Sequence, residues 1–203
     1  MTDDANRWLR ERTVSGDTYD ATYDRRAATG ENVHGEADFV QTLAPKSVLD
    51  AGCGTGRVGR ELARRGLDVA GVDIDPEMLD TARRKAPGVD WRLADLASVD
   101  LNRTFDAIVM AGNVMIFLKP GTEAAVVANM AHHLAPGGVL IAGLQLMPGR
   151  LTLDEYDEMA EAAGLMLAER WATWVRDAWE AGGDYAVSVH RRAPGRASAK
   201  PSR

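Results

Sequence analysis

Apolar and polar positions along the chain change period several times, and each change marks an element. Residues 1–17 carry no sustained apolar period and read as a loose arm with one short helix around Trp8. In 18–28, TYDATYDRRAA, Tyr19 and Tyr23 stand four apart and share a helix face, with Arg26 three further on. After Gly30, residues 36–43 read as a second short helix with Phe39, Val40 and Leu43 as its apolar side, and Pro45 stops it. Strand and helix periods then alternate. Short apolar runs at 47–50 and 69–73 read as strands. Between them, 57–65 reads as a helix with Val58 and Leu62 inward and Gly66 at its C-terminal cap. Asp75-Pro76-Glu77 opens the next helix with a capping acid, a proline at the first position and an acid in the first turn. Met78, Leu79 and Ala82 line its inner face, and Pro87-Gly88 ends it.

Val89, Trp91 and Leu93 alternate with polar residues and predict a third strand running to Asp95. Residues 105–111, FDAIVMA, predict a fourth and largely buried one. The segment 122–134 reads as a helix with Val126, Val127, Met130 and Leu134 inward and with His132 and His133 on a solvated flank. Pro136-Gly137-Gly138 reads as a turn into a fifth strand, 139–144. Thr152 and Glu155 have capping-box spacing and open a helix that ends near Gly164. Two extended segments, 165–174 and 185–190, read as a closing antiparallel pair, in and beside which Trp171, Trp174 and Trp179 are packing residues. The alternation implies an α/β fold: a doubly wound, mostly parallel sheet of seven strands with an antiparallel C-terminal strand, helices on both faces and an N-terminal helical cap. The expected organisation is a cap or arm over 1–45, a core over 46–191 and a disordered basic tail over 192–203.

Composition narrows the partners. The chain has 203 residues, enough for one α/β domain with a sizeable core. Its net charge is −6, and five of its basic residues lie in 191–203, which holds no acid. The remaining body has 19 basic against 30 acidic residues, a net −11. Such a body is a poor match for nucleic acid, whose affinity comes mainly from phosphate neutralisation. No apolar run approaches the roughly 20 residues of a membrane span, and the polar N-terminus lacks the apolar stretch of a signal peptide. The single cysteine, Cys53, allows no internal disulfide, which fits a cytoplasmic location. It sits where a glycine loop needs a small residue, with no activating partner in view.

The chemistry gathers where the parallel strands end, since ligands bind there in such sheets. The predicted ends are Asp50, Asp73, Asp95 and the pair Gly112-Asn113. The first is followed by glycines at 52, 54, 56 and 59, a stretch that lets a ligand lie against bare backbone beside a helix start. Gly54, Gly56 and Gly59 formally match a dinucleotide fingerprint, with Asp73 19 residues after Gly54. Yet an acid just before the loop suits a pyrophosphate badly and a zwitterionic or cationic ligand well. Asp75 reads as a helix cap, and capping a loop is the competing role for Asp95.

Four segments in order, VLDAGCGTG (48–56), GVDID (71–75), LADL (93–96) and FDAIVMAGNVMIFL (105–118), resemble the motifs of the class I S-adenosylmethionine-dependent methyltransferases. The resemblance is to the small, single-domain members that act on small molecules, and it implies a Rossmann-like fold. It also implies S-adenosylmethionine as cofactor and a small-molecule methyl acceptor, with no metal, no nucleic-acid partner and no membrane. By the family pattern, Asp50, Ala51, Gly52, Gly54 and Gly56 hold the methionine part. Asp73 accepts from the ribose hydroxyls, and Ile74 packs on the adenine. Asp95 and Leu96 hydrogen-bond its edge, and Asn113 and Val114 lie near the sulfonium. Met115 covers the adenine or fills core. The loop after the fourth strand lacks the Pro-Pro-aromatic run of nucleic-acid amino-methylating enzymes. No catalytic residue is implied; His34, Tyr19 and Tyr23 in the cap are candidates, and Gln145, Met147 and Arg150 are candidates to line an acceptor pocket. Two other functions stay open: a non-catalytic binding protein of this fold, and a dinucleotide-dependent enzyme. The acceptor, and the choice between monomer and homodimer, are likewise open.

Overall fold

A computed structural model of the chain describes residues 6–194, so the expected tail lies outside the described residues from 195 on. Seven strands form one sheet: β1 (Ser47–Ala51), β2 (Asp68–Asp73), β3 (Asp90–Leu93), β4 (Phe105–Met110), β5 (Leu134–Gln145), β6 (Leu165–Trp171) and β7 (Tyr185–Arg192). Their order is β3-β2-β1-β4-β5-β7-β6. Pairs from β3 to β5 are parallel, and β7 runs antiparallel to both of its neighbours. Strand order reverses between β1 and β4, which opens a crevice at their C-terminal ends.

Among the described residues, eight helices surround the sheet: α1 (Arg7–Glu11), α2 (Gly16–Ala28), α3 (Gly35–Thr42), α4 (Arg57–Arg64), α5 (Pro76–Lys85), α6 (Val114–Phe117), α7 (Glu123–His132) and α8 (Leu153–Ala162). Alternate residues of the strands feed two cores. Leu49, Val72, Ile108 and Leu140 pack with Val127, Met130 and Tyr156 of α7 and α8. Val48, Val109, Ile141 and Val189 pack with Val40, Val58 and Leu62 of α3 and α4. Each such side chain taken out of water contributes about 1.5–3 kcal/mol. The caps follow their signals. The Asp75 side chain accepts from the Glu77 N–H at 3.0 Å, and the Thr152–Glu155 capping box is complete.

Several expectations differ from the structure, three of them with a clear physical reason. The third strand is only Asp90–Leu93, and Leu93 is 53% exposed, because β3 is the sheet edge and only Trp91 is buried beneath it. Pro136-Gly137-Gly138 is not a turn before β5 but a bulge within it. Phe105 pairs with Leu134 and Ala107 with Val139, so the two strands lose register across this stretch. His133 is not solvated: it is 2% exposed, its Nε2 accepts from the Leu101 N–H at 3.2 Å, and its Nδ1 lies 2.8 Å from the Asn129 carbonyl. The ring thus holds the loop before β4 against α7. Among the described residues no helix is long and apolar enough to cross a membrane.

Candidate functional site

The crevice is a cavity of about 890 Å3, counting its open mouth. β1 delivers Asp50 to it, and the loop behind supplies Gly52, Cys53, Gly54 and Thr55. β2 delivers Asp73, with Ile74 just beyond it; the turn after β3 delivers Asp95 and Leu96, the turn after β4 Gly112, and the start of α6 Val114. At Gly54, with φ +53°, a Cβ would point into open space, so the backbone is bare toward a ligand.

The acids differ in environment. Asp73 is 8% exposed; its Oδ2 accepts from the Gly54 N–H at 2.7 Å and its Oδ1 from the Asp75 N–H at 2.8 Å. With about four acceptor positions, the carboxylate keeps hydrogen-bonding capacity for a ligand donor. Burial raises its pKa against these bonds. Asp50 is 2% exposed, with its Oδ2 accepting from the Gly59 N–H at 2.8 Å. Burial pushes it up to about 7, opposed by that bond and by Arg57 and reinforced by the charge of Asp73. Asp95 is exposed; its Oδ1 accepts from the Ala97 N–H at 2.8 Å while the residue also lines the cavity. It therefore caps its loop and faces the ligand space at once.

Three residues expected in the cradle stand elsewhere. Ala51 is buried in the core. Gly56 does not line the cavity: a Cβ there would stand 2.6 Å from the Trp91 ring, and at Gly59 and Gly71 3.0 and 2.2 Å. Two of the three glycines of the formal dinucleotide fingerprint thus make room for an indole. Asn113, in the left-handed region at φ 62°, turns its Oδ1 to accept from the Gln145 N–H at 2.9 Å and clips the turn after β4 to the end of β5. Met115 is core.

Of the cap candidates, Tyr19 lines the cavity, whereas Tyr23 and His34 line a separate outer depression between α2 and α4. The two tyrosine hydroxyls are 3.2 Å apart. Gln145, Met147 and Arg150 do not line the cavity. Trp174 packs against Phe39 and donates to the Tyr185 hydroxyl, as a packing residue does. Sequence reasoning missed Trp8, Phe117 and Arg57, all of which face the cavity. A tryptophan inside a polar arm was the available signal.

A family profile described as a methyltransferase domain matches residues 48–138. The solved structure of a TehB-like SAM-dependent methyltransferase from Corynebacterium glutamicum is 34% identical, with a TM-score of 0.80 over 87% of this chain and 97% of that one. The chain belongs to the S-adenosylmethionine-dependent methyltransferases. This methyltransferase is also 34% identical, over 62% of its length, to a dTDP-3-amino-3,4,6-trideoxy-alpha-D-glucopyranose N,N-dimethyltransferase of Streptomyces venezuelae. It spans 54% of that relative, about half the length of the first curated relatives it matches. SAM-bound CalS10 of Micromonospora echinaspora, an amino pentose methyltransferase, is 26% identical with a TM-score of 0.71, over 85% of this chain and 96% of that one.

Proposed function

We propose that this methyltransferase moves a methyl group from S-adenosylmethionine to an amine nitrogen of a small molecule. The observation that carries the reading is the acidic cradle, with Asp50, Asp73 and Asp95 around a glycine-opened crevice. Buried carboxylates with raised pKa values suit a ligand that brings positive charge, and this cofactor carries an ammonium and a sulfonium. Asp50 takes the ammonium. Asp73 accepts from the ribose hydroxyls with its remaining capacity, and Ile74, Asp95 and Leu96 take the adenine. The cofactor supplies a methyl group on a sulfur that departs as a neutral thioether.

The protein's share is then to hold an acceptor lone pair in line. Asn6 Oδ1 accepts from the Trp8 N–H, the Thr55 hydroxyl donates to Asp20, and Arg57 donates to Glu36 and the Val33 carbonyl. Tyr19 keeps hydrogen-bonding capacity beyond its contact with Tyr23. Burial pushes its phenol well above the usual range, so it stays protonated, orients the acceptor and takes no proton. An alcohol needs a base at this point; a neutral amine does not. The amino-sugar relatives support the same atom. The acidic body favours a small molecule over nucleic acid.

S-Adenosylhomocysteine release, assayed across amino sugars, simpler amines and alcohols, tests this. Turnover with amines is expected, and Asp73→Ala should lose about 1.5–3 kcal/mol of cofactor affinity, the scale of hydrogen bonds to a charged group. Turnover confined to alcohols removes the amine; absent cofactor binding removes the whole reading. Tight cofactor binding with no turnover on any acceptor favours a binding protein of the same fold.

A further inference from the structure

We infer that Trp8 is a cofactor-covering residue, carried on the short helix α1, and that Asp75 and Arg12 latch this helix over the nucleoside end of the crevice. The inference rests on the crevice being the S-adenosylmethionine site.

Asp75 explains the position. It begins as an ordinary helix cap, with Oδ1 accepting from the Glu77 N–H at 3.0 Å. In an exposed cap the second oxygen is hydrated. Here the side chain is fully buried, and Oδ2 accepts from Trp8 Nε1 at 2.9 Å and from Arg12 Nε at 2.8 Å. A second Arg12 nitrogen reaches Glu77 at 2.7 Å. Asp75 also donates its own N–H to Asp73 Oδ1 at 2.8 Å. The latch is therefore one residue pair away from the carboxylate assigned to the ribose. On the other side, the Trp8 ring meets Phe117 edge to face at 5.5 Å, and both rings line the cavity. Arg7 closes the contact by donating to the Ile116 carbonyl at 3.2 Å. Two aromatic rings thus line the ligand space together with Ile74 and Leu96.

The same geometry makes α1 the movable wall. None of its residues is fully buried, and half-buried Trp8, packed on Phe117, is the main apolar side chain that lifting it exposes. Water replaces Trp8 and Arg12 on the Asp75 oxygen, so no buried group is orphaned. The next helix differs: α2 buries Asp20, which holds Thr55, Arg60 and Lys85. Ligand exchange by release of α1, with α2 staying in place, is the low-cost route. Trp8 is then a binding residue, and Arg12 a positioning residue acting through it.

The test uses the full chain, S-adenosylhomocysteine as probe, calorimetry for affinity and stopped-flow fluorescence for rates. Because no residue of α1 is fully buried and the sheet core lies elsewhere, variants in it should keep the fold, which thermal melting verifies. Trp8→Leu should weaken binding about tenfold, and Trp8→Phe should recover most of the loss, since the ring face rather than the Nε1 bond does the covering. Arg12→Met should raise association and dissociation rates together by about two- to fivefold, the scale of a partly exposed ion pair, with a smaller change in affinity. Wild-type rates should climb with salt, and those of Arg12→Met should not. Binding by the wild type with unchanged affinity in Trp8→Leu and unchanged rates in Arg12→Met overturns this inference alone. No binding by the wild type overturns it together with the proposed function.

Discussion

Asp50 is a carboxylate held out of water at the end of β1, with burial pushing its pKa up to about 7. The folded protein therefore keeps a proton there that the unfolded chain releases near pH 3.8. Between these values the folded state binds more protons, so this group lowers stability as pH rises from about 4 to 7, by a few kcal/mol in order of magnitude. A cationic ligand reverses the preference. At pH 6 binding of S-adenosylhomocysteine, which retains the ammonium, should release close to one proton, and near pH 8.5 almost none. Affinity should rise about tenfold per pH unit up to about 7. Calorimetry at pH 6 in two buffers of different ionisation heat measures the release, and Asp50→Asn should abolish it. Absence of release in the wild type would detach Asp50 from the ligand's ammonium. Asp50 and Asp73 were legible in the sequence because a strand-end acid beside a glycine loop is a local pattern. Gly56 and Gly59 were not. Their partner, Trp91, is distant in sequence, and nothing local distinguishes a glycine that admits a ligand from one that admits an indole.

At the scale of elements, the cap is joined to the core by Asp20. This residue of α2 is 2% exposed and bonds Thr55 of the glycine loop, Arg60 of α4 at 2.8 Å and Lys85 of α5. Burial pushes its pKa up, but Lys85, Thr55 and Arg60 outweigh this and hold it below the usual 3.8. Its contribution is present above the unfolded pKa and is lost as pH falls through the lower folded value. Asp20→Ala removes the joint and leaves two cations partly unpaired, which should cost about 1–3 kcal/mol in urea unfolding at pH 7. It should also raise the acceptor KM more than it changes kcat, since Tyr19 precedes it on the same helix. Unaltered unfolding would mean that α2 is held by its other contacts. Most elements were readable because their caps are local: Asp75 at α5 and Thr152 with Glu155 at α8. The bulge in β5, the burial of His133 and the existence of α6 depend on partners 30 or so residues away, such as Leu101 for His133 and Gln145 for Asn113. Periodicity carries no trace of those.

Across the whole molecule, burial grades from a closed centre to a loosely held rim. Residues 105 and 107–110 of β4 and 139–144 of β5 are buried, with both faces covered by helices. No residue of α1 is fully buried, and the helix is held by the Trp8–Phe117 ring contact and by polar contacts to Asp75, Glu77 and Ile116. Opening free energies follow such gradients, from near zero where few apolar contacts are lost to the global value where many are. Amide hydrogen exchange on the free protein should therefore show α1 exchanging by local opening, with little protection. The β4 and β5 amides should exchange only through global unfolding, with an opening free energy matching that from urea. α2, pinned by Asp20, should fall between the two. Saturating S-adenosylhomocysteine should then change the order. A ligand covered by Trp8 transfers part of its binding energy to α1, so protection there should rise by more than in α7 and α8, which do not line the crevice. Equal gains in α1 and α7 would mean that the ligand stabilises the fold only globally. Slow exchange of α1 before any ligand is added would mean that its polar contacts hold more than their exposure implies. The comparison needs no acceptor and no turnover, so it reads the architecture of the site apart from its chemistry.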